Sequence, residues 1–165
     1  MRVYLPSTLP ALRRLLDDGV LGEPPLPGFA VTPALREWYV EGDEEELEYA
    51  ALMLAARASL RLLDADPSAP ARRAVLVADV PDASVMPVPA VDRGAVHVGA
   101  AVTLRLVRSV HVDDPDAQDD VRVAVDAVIE ADLGSEDALF RMEQAEGHEL
   151  QWYASQELGP LLELS

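Results

Sequence analysis

The first apolar pattern in the chain has the period of a helix. Its leucines recur every three or four residues, Ser7 or Thr8 before them supplies a cap, and Gly19 ends the pattern. These leucines are Leu9, Leu12, Leu15 and Leu16. The pattern therefore predicts an amphipathic helix, which follows a short strand at Arg2–Leu5 that ends at Pro6.

Five more helices are predicted from start signals, in which a capping residue or a proline precedes an apolar stripe. They begin at Thr32, Asp43, Asp114, Ser135 and His148, and they end near Gly42, Leu63, Gly134, Ala145 and Leu158. In the last of them, Leu150, Ala154 and Leu158 repeat at helical spacing. We therefore expect a final helix over His148–Leu158.

Short apolar runs and alternating segments predict the strands. Beyond Arg2–Leu5, these lie at Phe29–Val31, Ala74–Val80, Val96–Val98 and Val110–Val112. The mixture of strands and helices predicts an α/β fold, with a single mixed sheet of about five strands and helices packed on it. We expect one domain over residues 1–165, with a right-handed parallel crossover from Phe29 through the long helix to Ala74.

The charge balance narrows the set of partners. Of the 165 residues, 30 are acidic and 13 are basic, all of the latter arginine, so the formal net charge is −17. Such a chain repels phosphate groups, and we expect neither nucleic-acid nor anionic-membrane binding. Hydrophobic residues make up 50% of the chain, which is ample for a buried core.

No segment of the sequence reads as a targeting or membrane-spanning element. Between Met1 and Leu16, two prolines and two arginines interrupt any apolar run of the kind that a signal peptide needs. The longest uncharged and proline-free run, Gly94–Leu104, is too short to span a bilayer. The chain also lacks cysteine and therefore disulfides. We expect a cytoplasmic protein.

Both tryptophans are followed directly by a tyrosine, in a chain with only 5% aromatic residues. Each doublet has large polar neighbours, a combination typical of binding surfaces. We predict that the two segments converge into one recognition surface for a protein partner or a small ligand. Its residues are Arg36, Trp38, Tyr39, His148, Glu149, Trp152, Tyr153 and Gln156.

Three alternatives to this recognition surface stay open. In a purely structural one, the aromatic rings seal the edge of the core and Arg36 pairs with Glu149 or Glu157. In a catalytic one, the protein is a hydrolase that uses His148 as base, with Glu149 or Glu157 orienting it. In a third, the acidic surface mimics nucleic acid and blocks a basic partner.

Known catalytic and metal-binding motifs are absent. There is no Gly-x-Ser-x-Gly, phosphate loop, Rossmann glycine pattern or His-Glu-x-x-His. His97, His111 and Asp113 suit a divalent metal only if the two Val-His-Val strands pair in one register. The acidic clusters, at 44–48 and 113–120, have the spacing of helix caps rather than of a calcium loop. We predict no metal and no cofactor.

Four segments carry a resemblance to a known family. They are Met1–Pro6, Val31–Tyr39, Glu45–Ala51 and His148–Glu157. In these segments, and over essentially its whole length, the chain resembles an uncharacterised family of small actinobacterial proteins of unknown function. The resemblance implies a bacterial source. It implies no activity, because no catalytic signature is attached to the family.

Overall fold

Six helices and nine strands make up the computed structural model, which describes residues 1–165. The helices are α1 (Leu9–Asp18), α2 (Pro33–Trp38), α3 (Glu44–Ala65), α4 (Gln118–Asp132), α5 (Glu136–Glu146) and α6 (Leu158–Glu163). The strands are β1 (Arg2–Ser7), β2 (Val20–Leu21), β3 (Leu26–Phe29), β4 (Ala74–Asp79), β5 (Val85–Pro87), β6 (Ala95–Val98), β7 (Val102–Thr103), β8 (Val107–Asp113) and β9 (Leu150–Ala154). No helix combines the length and the apolar composition that crossing a membrane requires.

Seven strands form one sheet in the order β5-β6-β3-β1-β4-β8-β9, and β2 pairs separately with β7. The predicted α/β class, with helices packed on one main sheet, is confirmed. The sheet is larger than the five strands expected, and every pairing is antiparallel. The predicted crossover joins β3 to β4. These two strands are parallel to each other, but they do not pair, because β1 lies between them.

The predicted helix starts follow from local hydrogen bonds. Thr8, Thr32, Asp43 and Ser135 each accept a hydrogen bond, through a side-chain oxygen, from the backbone N–H three residues ahead. Gly19 ends α1 with φ of 74°, a left-handed conformation that glycine adopts at little cost. These signals act within one helical turn, so the sequence alone predicts them.

Helices cover both faces of the sheet. On one face, α1 and α6 enclose the main core with Val3, Leu5 and Leu76. On the other face, α3 packs on β1 and β4, where Tyr4 and Val77 are buried beneath it. Helices α4 and α5 pack against each other and on the second half of α3. The first half of α3 therefore stands beside β8 and β9 without a covering layer.

The predicted helix over His148–Leu158 is wrong, because its first part is strand β9. Trp152 lies opposite His111 of β8, and α6 begins only at Leu158. Successive side chains in a strand point to opposite faces, so Trp152 faces the α3 side while Tyr153 packs on the main core. The apolar residues of this segment have helical spacing, but the backbone N–H and C=O groups along the edge of β8 need hydrogen-bond partners. The segment supplies them by forming a strand.

The ladder between β4 and β8 carries an arginine–aspartate pair at each end. At one end Arg73 pairs with Asp113, and both side chains are buried. At the other end Asp79 pairs with Arg108, and both are about half exposed. We call these the closed end and the open end of the ladder.

Candidate functional site

A pocket of about 380 Å³ opens between α3 and the last two strands of the sheet. Its lining comes from α3 and from β1, β4, β8 and β9. The lining residues are Arg2, Tyr4, Glu45, Glu48, Tyr49, Leu52, Val77, Arg108, Ser109, His111 and Trp152. We call it the α3 pocket. Its volume lies within the range of small-molecule sites, which is about 300–1,000 Å³.

One wall of the α3 pocket is a single face of the long helix. Glu45, Glu48, Tyr49 and Leu52 are spaced three or four residues apart, and this spacing places them on one side of α3. Asp43 positions this face by capping the first turn, where its carboxylate accepts a 2.9 Å hydrogen bond from the Glu46 amide. The wall therefore changes along the helix from carboxylates to an aromatic ring and an aliphatic side chain.

A β-bulge turns two consecutive residues of β8 into the pocket. Val77 of β4 pairs with Ser109, and Ala78 pairs with Val107, so Arg108 has no partner on β4. In a regular strand only one of two neighbours can face a given side, but Arg108 and Ser109 both line the pocket. The bulge thereby adds a guanidinium beside a hydroxyl.

Several polar groups of the pocket are not used by the protein itself. The Ser109 hydroxyl and the His111 imidazole take part in none of the side-chain hydrogen bonds of the structure, although both residues line the pocket. Arg2 has a buried Nε that also lacks a hydrogen-bond partner. Burying an unpaired polar group costs about 1–3 kcal/mol, and among side-chain atoms this applies to the Arg2 Nε alone. The Ser109 hydroxyl and the His111 imidazole are not sealed in this way and are available to a ligand.

Burial sets the protonation of two groups on the pocket floor. Burial lowers the pKa of His111, which favours the neutral imidazole at pH 7. Burial, followed by the nearby carboxylate of Glu48, raises the pKa of Tyr4 and keeps its phenol protonated. Both groups therefore offer hydrogen bonds rather than charges.

The charges of the pocket are concentrated at the open end of the ladder. Arg108 donates to Asp79 at 2.7 Å, and Arg2 approaches the same aspartate at 3.9 Å. Arg2 also lies 3.5 Å from Glu48 across the pocket. Two arginines and two glutamates line the pocket, so its charged lining is balanced although the whole chain carries −17.

A second and larger depression adjoins the α3 pocket along α3. It contains Trp38 and Tyr39 and shares Glu45 and Tyr49 with the α3 pocket. The guanidinium of Arg93 lies 3.7 Å from the centre of the Trp38 ring, which is a cation–π contact. We call it the Trp38 depression.

The two tryptophans lie in two adjoining depressions, which share Glu45 and Tyr49. Trp38 and Trp152 are about equally exposed, at 61% and 60%, but they lie in the two different depressions. Tyr153 faces the other side of the sheet, and its hydroxyl donates to Gln151 at 3.0 Å. Of the eight residues predicted for the surface, only Trp152 lines the α3 pocket.

The polar residues predicted for the surface have other partners. Arg36 pairs with Glu44 at 2.8 Å, not with Glu149 or Glu157, so that predicted pairing is wrong. The imidazole of His148 lies 2.7 Å from Asp120. Glu149 and Gln156 are exposed.

The two Val-His-Val strands are not neighbours. Strand β6, with His97, pairs with β3 and β5, whereas β8, with His111, pairs with β4 and β9. Asp113 is engaged by Arg73. The register that a metal site requires is therefore not formed, and no group of three or more metal-ligating side chains occurs elsewhere.

Sequence reasoning missed most of the pocket. Tyr4 lies in the predicted strand Arg2–Leu5 with no role assigned to it, and Arg108 and Ser109 precede the predicted strand Val110–Val112. The usable signal was a break in alternation, since Arg108 and Ser109 are two consecutive polar residues in a strand that otherwise alternates apolar and polar positions. A bulge cannot be located from that signal without knowing the partner strand.

The fold and the pocket define an α/β protein with an antiparallel sheet and an open polar site beside its longest helix. The chain belongs to the family of unknown function DUF6912, whose model matches residues 1–162. No functionally curated protein and no solved structure matches the chain.

Proposed function

We propose that this protein is a non-catalytic binding module of the cytoplasm that takes a small ligand in the α3 pocket. The observation that carries the proposal is the bulge, which adds Arg108 to Ser109 beside a free His111. Bulges are over-represented next to functional sites because they re-aim side chains. An aromatic wall with a few free polar groups is typical of a ligand site.

A hydrolase that uses His148 has less support. The partner of His148 is Asp120 rather than Glu149 or Glu157, and His148 lines neither the α3 pocket nor the Trp38 depression. In the α3 pocket, Ser109 and His111 lie two residues apart on one strand without a hydrogen bond between them. A nucleophile and its base need to lie within hydrogen-bond reach. Binding therefore explains the arrangement more simply than catalysis does.

A protein partner is the second candidate, and a different patch favours it. Trp38, Tyr39 and Val40 are all exposed at the end of α2. Exposed apolar clusters of this kind often mark protein contacts. If the acidic surface instead captures a basic partner by charge alone, that binding will weaken steeply with added salt.

The two tryptophans provide a matched pair for the test. We expect Trp152→Ala and Trp38→Ala each to lower the melting temperature by less than about 4 °C, because both rings are mostly exposed. The melting temperatures of the wild type and of both variants are then measured in the presence of each compound of a small-metabolite library. A saturating ligand should raise the melting temperature of the wild type by about 5–10 °C.

We expect this ligand-induced rise in melting temperature to persist in Trp38→Ala and to be smaller in Trp152→Ala. A ligand whose effect survives in Trp152→Ala contradicts the proposal, as does a library in which no compound stabilises the wild type. A binding partner lost specifically with Trp38→Ala supports the protein-contact candidate instead.

A further inference from the structure

The lining charges of the two depressions differ in a way that indicates the ligand. Five carboxylates and two arginines line the Trp38 depression, an excess of negative charge that matches the chain as a whole. In the α3 pocket, Arg2 and Arg108 are balanced by Glu45 and Glu48. A balanced lining favours a ligand that carries both charges and is neutral overall.

The charged and apolar groups of the α3 pocket are separated along its length. On α3, Glu45 and Leu52 lie seven residues apart, which is about 10 Å along the helix axis. On the sheet, Trp152 is opposite His111 and therefore lies one strand repeat beyond Ser109, about 7 Å further along β8.

Both walls run in the same direction. The first half of α3 lies at the open end of the ladder, where Glu48 meets Arg2, and its second half lies at the closed end, where Ser59 bonds to Ser7 and Ala74. Strand β8 likewise runs from the open end to the closed end. One end of the pocket is therefore charged, and the other is apolar and aromatic.

We propose that the α3 pocket binds a free α-amino acid with an apolar or aromatic side chain, which rests on the proposed function. The ligand carboxylate accepts hydrogen bonds from Arg108 and the Ser109 hydroxyl. The ligand ammonium faces Glu45, which has no ion-pair partner in the structure, and Glu48. The ligand side chain lies between Leu52 and Trp152.

Ligands with a single charge fit this lining less well. An anion at Arg108 meets Asp79, which already holds one side of that guanidinium at 2.7 Å, and Glu48 nearby. A cation at Glu45 meets Arg2 and Arg108. Either ligand thus meets a like charge without bringing the opposite charge that would offset it, and juxtaposed like charges weaken binding.

The test compares apolar amino acids with molecules that lack one part of them. L-Leucine, L-methionine, L-phenylalanine and L-tryptophan form the first set, and calorimetry measures their binding to the full chain. 3-Phenylpropionate lacks the ammonium, 2-phenylethylamine lacks the carboxylate, and glycine lacks the side chain. We expect at least one amino acid of the set to bind, and each truncated molecule to bind at least about tenfold more weakly.

Matched variants assign each charge to its partner. Arg108→Met should reduce the preference for L-phenylalanine over 2-phenylethylamine, whereas Arg93→Met in the Trp38 depression should leave it unchanged. Glu45→Gln combined with Glu48→Gln should reduce the preference over 3-phenylpropionate, and Glu46→Gln is the control. Circular dichroism confirms that each variant is folded before its binding is compared.

The outcomes separate this inference from the proposed function. If 3-phenylpropionate or 2-phenylethylamine binds as tightly as L-phenylalanine, the zwitterion is not the ligand class, although the pocket still binds a ligand. If no amino acid of the set binds, the inference is overturned, and the metabolite library then decides the proposed function separately. The inference is supported if Arg108→Met loses only the preference over 2-phenylethylamine and the double glutamine variant loses only the preference over 3-phenylpropionate.

Discussion

The two ends of the β4–β8 ladder hold the same kind of side-chain pair in opposite surroundings. At the closed end, 1% of the Arg73 side chain and none of the Asp113 side chain is exposed. At the open end, 55% of Arg108 and 45% of Asp79 are exposed. The comparison separates what a guanidinium–carboxylate pair does inside a protein from what it does at a surface.

The closed end organises the fold. Arg73 donates to both carboxylate oxygens of Asp113 at 2.8 Å and to the backbone carbonyls of Ala145 and His148 at 3.0 and 2.9 Å. Ala145 lies in the last turn of α5, and His148 lies in the connection from α5 to β9. The buried pair therefore holds β9 at the edge of the sheet, and this in turn places Trp152 in the α3 pocket.

The open end leaves donors free. Asp79 lies between Arg2 on β1 and Arg108 on β8, and it satisfies only part of either guanidinium. The Arg2 Nε is unpaired but buried, whereas the half-exposed Arg108 extends from the bulge into the pocket. The same chemical pair thus fixes the architecture where water is excluded and leaves donors for recognition where water enters.

The strongest test of this contrast removes the buried guanidinium. We expect Arg73→Met to destabilise the protein by about 3–5 kcal/mol, because the buried carboxylate of Asp113 then has no cationic partner and keeps only the hydrogen bond from the backbone N–H of residue 73. Urea unfolding followed by circular dichroism measures the change. The double variant with Asp113→Leu should recover much of the loss, since no unpaired charge then remains. A loss below about 1 kcal/mol in Arg73→Met would remove the distinction between the two ends.

The matched substitution at the open end should leave stability nearly unchanged. Arg108→Met removes an exposed ion pair, and such pairs contribute little because water and salt screen them. The urea midpoint should therefore agree with that of the wild type within error, at low and at high salt. A clear destabilisation would mean that Arg108 supports the sheet as well as the pocket.

The smallest effect at neutral pH is expected for His111→Gln. Because burial lowers the pKa of His111 below its unfolded value of 6.5, the unfolded chain binds the proton more readily. The stability that neutral His111 contributes is complete above about pH 6.5 and is lost as the pH falls towards the folded pKa. Urea midpoints are measured at several pH values between 5 and 8. As the pH decreases, the midpoint should fall less steeply for His111→Gln than for the wild type. Parallel curves would contradict the burial of this imidazole.

Features that depend on neighbouring residues were predictable. The caps at Thr8, Thr32, Asp43 and Ser135 require only one turn of helix, and each forms as the sequence predicts. The apolar run after Arg73 forms the central strand β4 for a similar reason, because a run buried on both faces needs no particular partner to be recognised.

Features that depend on distant residues were not predictable. Leu150–Ala154 has the apolar spacing of a helix, and only the vacant edge of β8 makes it a strand. The position of the bulge depends on how β4 and β8 pair, and nothing near Arg108 in the chain specifies that register.

The sequence by itself determined the class of fold, four capped helix starts, the acidic character and the absence of known catalytic motifs, because each of these is expressed in composition or within a few residues. Tertiary structure alone decided that Arg73 is sealed and Arg108 is open, and that Trp152 lies beside α3 while Trp38 lies in another depression. The physical reason is that burial and strand register are properties of the packed chain. Identical side chains therefore acquire different roles only after packing has separated them from water or left them in contact with it.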